Sequence, residues 1–116
     1  MISEDKMELA SITNEKALII TVSGRLDTTT AQDFETKCLE MIAQGDKNFI
    51  VDLKDVEYIS SAGLRSILSV GKKIRSDNGN LAFCSLRGMV KEVFEISGFS
   101  SIFTIHDTRE QAIEAI

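Results

Sequence analysis

The order of apolar and polar positions along the chain alternates between the two-residue repeat of β-strands and the wider repeat of α-helices. Residues 7–13 and 17–23 are rich in apolar and β-branched side chains, and they predict an antiparallel hairpin whose second strand ends at Gly24. Further apolar runs predict three more strands, at residues 49–53, 81–86 and 102–105. The first of these three suits a buried central strand because four of its five residues are apolar.

Four helices are predicted between and after these strands. The first carries apolar residues at helical spacing between the capping candidates Asp27–Thr30 and a terminating Gly45. The second has an apolar face within residues 64–74, and the third spans residues 88–98. The fourth begins at Thr108, which stands in capping-box spacing to a glutamine three residues later.

The predicted order of elements is β-β-α-β-α-β-α-β-α. Strands joined through helices run parallel, and their right-handed crossovers cover the sheet with helices. The expected fold is therefore α/β, with a mixed, mostly parallel sheet and an N-terminal antiparallel hairpin. With 116 residues and no linker or internal repeat, the chain is expected to form a single domain over residues 1–116.

Composition and charge narrow the classes of function. Hydrophobic residues make up 43% of the chain and charged residues 27%, which is typical of globular proteins. Thirteen basic residues against eighteen acidic ones give a net charge of −5. Proteins that bind nucleic acid usually carry a basic excess, so this class is disfavoured. A protein partner is expected to present a basic or uncharged face.

Cys38 and Cys84 have no metal-ligand spacing, and their neighbours predict buried thiols in a reduced, cytoplasmic protein. The N-terminal Met1–Lys6 is polar and mixed in charge, so no signal peptide is expected. The apolar runs are far shorter than the ~20 residues that span a bilayer, and we expect no membrane insertion.

Sites on sheets of this kind gather where parallel strands lead into helices. Three segments qualify, at residues 24–27, 58–64 and 85–88. In the middle segment, Ser60 and Ser61 stand directly before a predicted helix, where a hydroxyl caps the helix or a phosphate is well accommodated. The small residues that follow, Ala62 and Gly63, are expected to leave the backbone open to another protein.

Catalytic and metal-binding alternatives have weaker support. A hydrolase built on Ser61 and His106 lacks the Gly-x-Ser-x-Gly pattern of a nucleophilic serine. No phosphate-binding glycine loop occurs, so no cofactor is expected. Asp52, Asp55 and Glu57 could suggest a hard-cation site, but their alternation around a strand end predicts solvated turn carboxylates. We therefore predict no catalytic residue and no metal.

Three segments, in order and spacing, resemble the STAS-domain anti-sigma factor antagonists of bacteria over nearly the whole chain. Gly24–Asp27 resembles the Gly-x-Leu-Asp element of that family. Val51–Leu53 followed by Tyr58–Leu64 resembles its phosphorylation segment, commonly written Asp-Ser-(Ser/Thr)-Gly-Leu, and residues 90–99 resemble its third helix and the following turn.

The resemblance implies a regulated serine. Ser61 falls on the phosphorylated position, with Ser60 as the alternative acceptor, in a place where the family often has Asp. Asp27 matches an acidic position near that site. The implied partner-binding residues are Asp27, Thr28, Ser60, Ser61, Ala62, Gly63 and Leu64.

The implied function is partner switching without catalysis. Unphosphorylated, such a protein binds an anti-sigma factor with serine kinase activity and so releases a sigma factor. Phosphorylation at Ser61 weakens that complex, and a serine phosphatase restores it. The alternative is a STAS module that serves a transporter or signalling complex without sigma control. Self-association as a weak homodimer is left open by the sequence.

Overall fold

The computed structural model describes residues 7–116, so the prediction drawn from Met1–Lys6 lies outside the described residues. The strands are β1 (Glu8–Thr13), β2 (Leu18–Leu26), β3 (Asn48–Ile59), β4 (Asn80–Cys84) and β5 (Thr104–His106). The helices are α1 (Ala31–Ile42), α2 (Ser61–Ser76), α3 (Gly88–Ile96), α4 (Phe99–Ile102) and α5 (Arg109–Glu114). The predicted alternation is confirmed, with α4 as an addition.

The five strands form one sheet in the order β1-β2-β3-β4-β5. β1 pairs antiparallel with β2, and every later pairing is parallel. The turn of the hairpin is closed by the backbone N–H of Asn14, which donates to the carbonyl oxygen of Ala17 at 3.0 Å. The mixed, mostly parallel sheet with an N-terminal hairpin is thus confirmed.

Helices cover both faces of the sheet. Successive residues of a strand point to opposite sides, so each central strand contributes side chains to two cores. On one face, Ile20 and Val51 belong to the main core, which includes the buried faces of α1, α2 and α3. On the other face, Ile19 and Ile50 pack with Ala112 of α5 in a smaller core. The apolar run at residues 49–53 is therefore buried from both sides, as expected of a central strand.

β2 does not end at Gly24, and that prediction is wrong. The strand continues to Leu26 and stays paired with β3, although the pairing shifts register between Gly24 and Arg25. Gly24 has a φ of +91°, a backbone conformation that glycine adopts without a steric penalty. Gly24 therefore marks an irregularity inside this strand, and the pairing continues to Leu26, two residues beyond it.

β3 is much longer than the predicted strand at residues 49–53. It runs to Ile59, whereas its neighbour β4 ends at Cys84, which pairs with Asp52. The prediction that the β4 strand reaches residue 86 is also wrong, because Ser85 has a φ of +64° and leaves the extended conformation. Residues 53–59 of β3 thus extend beyond β4, by about 23 Å at ~3.3 Å per residue.

The unpredicted helix α4 contributes its first residue, Phe99, to a cluster of four phenylalanines. Edge-to-face contacts join their rings in a closed cycle of Phe83, Phe94, Phe99 and Phe103, with centroids 5.1–5.5 Å apart. α4 begins after Gly98, whose φ is +82°. The last strand accordingly starts at residue 104 instead of 102, since Phe99–Ile102 form one helical turn.

Asp52 is not a solvated turn carboxylate, and that prediction is wrong. It lies on β3, is 5% exposed, and accepts a hydrogen bond at 3.0 Å from Nε of Arg109 on α5. Its other oxygen accepts from the backbone N–H of Lys54 at 3.0 Å. Asp55 and Glu57 are exposed as expected, but on a strand and not on a turn.

Both cysteines are buried and free, as predicted. Burial raises the pKa of Cys38 to about 12 and that of Cys84 to about 11. Within residues 7–116, no group of three or more side chains is arranged to hold a metal ion. Over the same range, no helix has the length and apolar character needed to cross a membrane.

Candidate functional site

The ends of β2 and β3 bring two of the three candidate segments together. Leu26 pairs with Ile59, and the backbone N–H of Ser60 donates to the carbonyl oxygen of Leu26 at 2.9 Å. The loop after β2 and the start of α2 are therefore neighbours. The third segment, residues 85–88, follows β4, which ends level with Asp52 of β3. It therefore lies about 23 Å from the other two segments along the strand direction.

Ser60 is the N-cap of α2. Its backbone is extended, and its Oγ accepts a hydrogen bond at 3.2 Å from the backbone N–H of Gly63. This bond satisfies one of the N–H groups that lack a partner within the first helical turn. The capping role that the sequence allowed for either serine thus belongs to Ser60.

Ser61 is the first residue of α2 and is exposed. Among the residues that the structure describes, its hydroxyl has no hydrogen-bond partner. The backbone N–H groups of Ser61 and Ala62 precede the first intrahelical bond and point out of the helix start. They place a partial positive charge beside the Ser61 hydroxyl, where an anion is stabilised.

Gly63 does not leave the backbone open to another protein, and that expectation is wrong. The residue is buried, and a Cβ atom there would lie 2.5 Å from the carbonyl oxygen of Leu26 and 3.2 Å from Ile59. Glycine at this position allows α2 to approach the end of β2. Ala62 is partly exposed, and Leu64 is partly buried against the main core.

Asp27 organises the loop between β2 and α1. Its Oδ1 accepts hydrogen bonds from the Thr29 hydroxyl at 2.7 Å and from the Thr29 backbone N–H at 2.9 Å. These bonds lower the pKa of Asp27 below its ordinary value of 3.8, with the Thr29 hydroxyl as the main cause. Asp27 is therefore a carboxylate at neutral pH, close to the start of α2, while Thr28 beside it is exposed.

Thr30 is the N-cap residue of α1, but its side chain serves the loop and not the helix. Its hydroxyl donates to the carbonyl oxygen of Arg25 at 2.8 Å and accepts from the backbone N–H of Asp27 at 2.9 Å. Hydrogen bonds of Thr29 and Thr30 thus connect the loop at residues 27–30 internally and to the end of β2.

Arg25 and Tyr58 form a pair that the sequence reasoning missed. They are register partners on β2 and β3, and the Arg25 guanidinium carbon lies 4.3 Å from the centre of the Tyr58 ring. Arg25 Nε is also 3.7 Å from Oδ2 of Asp27. The sequence analysis missed this pair because it ended β2 at Gly24 and β3 at residue 53, and the contact lies beyond both predicted ends.

A groove of about 450 Å³ runs between α1 and α2 from the start of each helix. Glu35 and Arg65 lie on opposite sides of it, and Oε2 of Glu35 accepts a hydrogen bond at 3.0 Å from the Ser69 hydroxyl. Arg65 is exposed and was not singled out in the sequence. The groove continues the surface of the serine segment, because Ala62 lines its end.

His106 does not approach Ser61. It ends β5, two strands away from β3, and stands level with Asp52 through the pairings of Cys84. Ser61 follows the far end of β3, beyond the seven-residue extension. The separation of about 23 Å along the strands excludes His106 as a base for the Ser61 hydroxyl.

Known proteins resemble this chain in sequence and in fold. The sequence profile of the STAS domain matches residues 8–112. The candidate anti-sigma factor antagonist BtrV of Bordetella bronchiseptica is 41% identical over 98 residues, which cover 84% of each chain.

Two solved structures share the fold. An anti-sigma factor antagonist from Mycobacterium paratuberculosis superposes with a TM-score of 0.88 at 21% identity, covering 100% of this chain and 98% of that one. The Bacillus cell fate determinant SpoIIAA in its phosphorylated form superposes with a TM-score of 0.70 at 20% identity, covering 95% and 98%. Because the profile match spans nearly all of the described sheet and helices, the chain belongs to the STAS domain family.

Proposed function

We propose that this protein is an anti-sigma factor antagonist that is switched by phosphorylation of Ser61. Without phosphate, it binds an anti-sigma factor that has serine kinase activity and so releases a sigma factor. That kinase phosphorylates Ser61 and weakens the complex, and a serine phosphatase reverses the modification. The protein acts as one cytoplasmic domain, performs no catalysis itself, and offers its partner residues 27–28, 60–62 and Leu64, while the buried Gly63 sets the position of this segment.

The difference between the two serines is the observation that carries this proposal. The Ser60 hydroxyl caps α2 through Gly63, whereas the Ser61 hydroxyl is exposed and has no hydrogen-bond partner among the described residues. A kinase can therefore reach Ser61 without breaking a bond of the folded protein. The names of BtrV and of the Mycobacterium protein support the same type of function.

Phosphorylation at this place would change the interface without changing the fold. A phosphate adds about −1.5 to −2 charge, and the start of a helix stabilises an anion. A partner surface of about 800 Å² centred on residues 60–64 must desolvate that dianion. A penalty of about 2.7–4 kcal/mol weakens binding by a hundred- to a thousandfold, which is sufficient for a switch.

The acceptor is tested with the cognate kinase-like anti-sigma factor. After incubation with that kinase and ATP, mass spectrometry should find one phosphate on Ser61. The Ser61→Ala variant should accept none, and the matched Ser60→Ala variant should still be modified. Full phosphorylation of Ser61→Ala together with loss in Ser60→Ala would make Ser60 the acceptor and contradict the proposal.

The switch itself is tested by binding. Ser61→Asp should fold normally and bind the anti-sigma factor at least tenfold more weakly than the neutral control Ser61→Asn, by the charge argument above. Equal affinity of the two variants would contradict an electrostatic switch. Recovery of a transporter or other membrane complex with the tagged chain, and of no anti-sigma factor, would instead favour a STAS accessory module.

A further inference from the structure

Ser61 and Arg65 stand four residues apart on the exposed side of α2. Side chains at this spacing are neighbours on a helix surface, with Cβ atoms about 5–6 Å apart. Two other helical pairs in this chain show what the spacing provides. Nζ of Lys37 lies 3.1 Å from a carboxylate oxygen of Asp33, and Nζ of Lys73 lies 3.4 Å from one of Asp77.

Arg65 has no such partner. Within residues 7–116 it forms no ion pair, and the residue four positions before it is a neutral serine. A phosphate on Ser61 would supply the missing anion. The order is also the favourable one, because an anion that precedes a cation on a helix agrees with the direction of the helix dipole.

We propose that Arg65 binds the phosphate on Ser61, an inference that rests on the proposed function. The planar guanidinium donates two parallel hydrogen bonds to phosphate oxygens, a geometry that a lysine cannot provide. The free backbone N–H groups of Ser61 and Ala62 bind the phosphate from the helix side. The phosphate is thereby held against α2 by groups of the same helix.

The pairing has a consequence for the groove between α1 and α2. In the unmodified protein Arg65 lines this groove opposite Glu35 and is available to a partner. Once the phosphate holds the guanidinium, that cation is no longer available. Phosphorylation then removes a positive contact from the surface at the same time as it adds a negative one.

The test places phosphoserine at position 61 during translation, so no kinase is required. ³¹P NMR follows the conversion of the phosphate dianion to the monoanion as pH falls, in the intact chain and in Arg65→Gln. The matched control is Arg75→Gln, which removes an exposed arginine of the same helix that lies about 21 Å from Ser61 along the helix axis.

We expect the midpoint to lie about 0.3–0.7 pH unit lower in the intact chain than in Arg65→Gln, a two- to fivefold change in the dissociation constant. Arg75→Gln should match the intact chain, and Arg65→Lys should fall between. Equal midpoints for the intact chain and Arg65→Gln would overturn the inference. Because the phosphate is installed without a kinase, this failure is distinct from a failure of Ser61 to be phosphorylated by the anti-sigma factor.

Discussion

The α-carbon of Gly63 lies so close to Leu26 that a Cβ atom would stand 2.5 Å from its carbonyl oxygen. The same oxygen accepts the hydrogen bond from the backbone N–H of Ser60. One carbonyl group at the end of β2 therefore positions both the N-cap and the first turn of α2. The location of the Ser61 hydroxyl depends on this contact.

Gly63→Ala should destabilise the protein despite the better helix propensity of alanine. Overpacking against backbone costs about 1–3 kcal/mol, and the propensity gain returns at most about 1 kcal/mol. Urea unfolding should show a net loss of up to about 2 kcal/mol in the free energy of unfolding, and Ser61→Ala in the same turn serves as the control. A Gly63→Ala variant as stable as the original chain would show that α2 can move away from β2 freely.

Ser60→Ala should lower the free energy of unfolding more than Ser61→Ala does, because only Ser60 caps α2. Loss of the N-cap oxygen costs about 0.5–2 kcal/mol, because the N–H of Gly63 loses its acceptor. Removal of the exposed Ser61 hydroxyl should change the free energy of unfolding by less than about 0.5 kcal/mol. Thermal and urea unfolding of the pair provide the measurement, and equal losses would contradict the assignment of Ser60 as the cap.

The ion pair of Asp52 and Arg109 should respond asymmetrically to substitution. Arg109→Met leaves a carboxylate that is 6% exposed without its cation and should cost about 1–3 kcal/mol, less than a fully buried pair because Arg109 is 32% exposed. Asp52→Asn keeps an acceptor for Lys54 and leaves a guanidinium that reaches solvent, so it should cost about 1 kcal/mol or less.

The double variant is the control for this coupling. Its unfolding free energy should fall by less than the sum of the two single losses, since both variants remove one interaction. Strict additivity would mean that the two side chains do not stabilise each other. A larger loss for Asp52→Asn than for Arg109→Met would contradict the proposed asymmetry.

The two thiols should be unreactive in the folded protein. Burial raises their pKa values to about 12 and about 11, so almost no thiolate exists at pH 8. A maleimide should label both cysteines only after unfolding in urea, whereas an added Ser61→Cys thiol should react in the folded state. Rapid labelling of Cys38 in the native chain would contradict its burial.

The same pKa values determine how the stability of the protein changes with pH in alkaline solution. The unfolded thiols lose their protons near pH 9, while the folded ones keep them until pH 11 or above. The unfolded state then binds fewer protons, so stability falls as pH rises above about 9. Cys38→Ala should reduce this slope in urea titrations at pH 8–10.5, and an unchanged slope would argue against the raised pKa.

Elements with a local signature were predictable from sequence. The hairpin, the order of strands and helices, the burial of both cysteines and the cap at Thr108 all follow from residues near one another in the chain. Thr108 Oγ1 accepts from the backbone N–H of Gln111 at 3.1 Å, as its spacing indicates. Each of these features depends on local periodicity or capping, which a single sequence displays.

Features that depend on distant partners were not predictable. The polar residues Lys54, Asp55 and Glu57 suggest a loop, but they are exposed positions on the part of β3 that extends beyond β4, where Val56 between them is buried. Asp52 and Arg109 are 57 positions apart, and no local pattern connects them. The sequence places Gly63 at the start of a helix, but its burial results from contact with Leu26, which is 37 positions earlier in the chain.

The length of β3 isolates the charge at Ser61 from the rest of the molecule. The extension of about 23 Å is more than twice the Debye length of about 8 Å at physiological salt. The electric field of a dianion at Ser61 is therefore largely screened at the distance of the ion pair of Asp52 and Arg109. The charge at Ser61 and the ion pair near the middle of β3 are thus electrostatically independent, so phosphorylation and dephosphorylation should leave the stability of α5 unchanged.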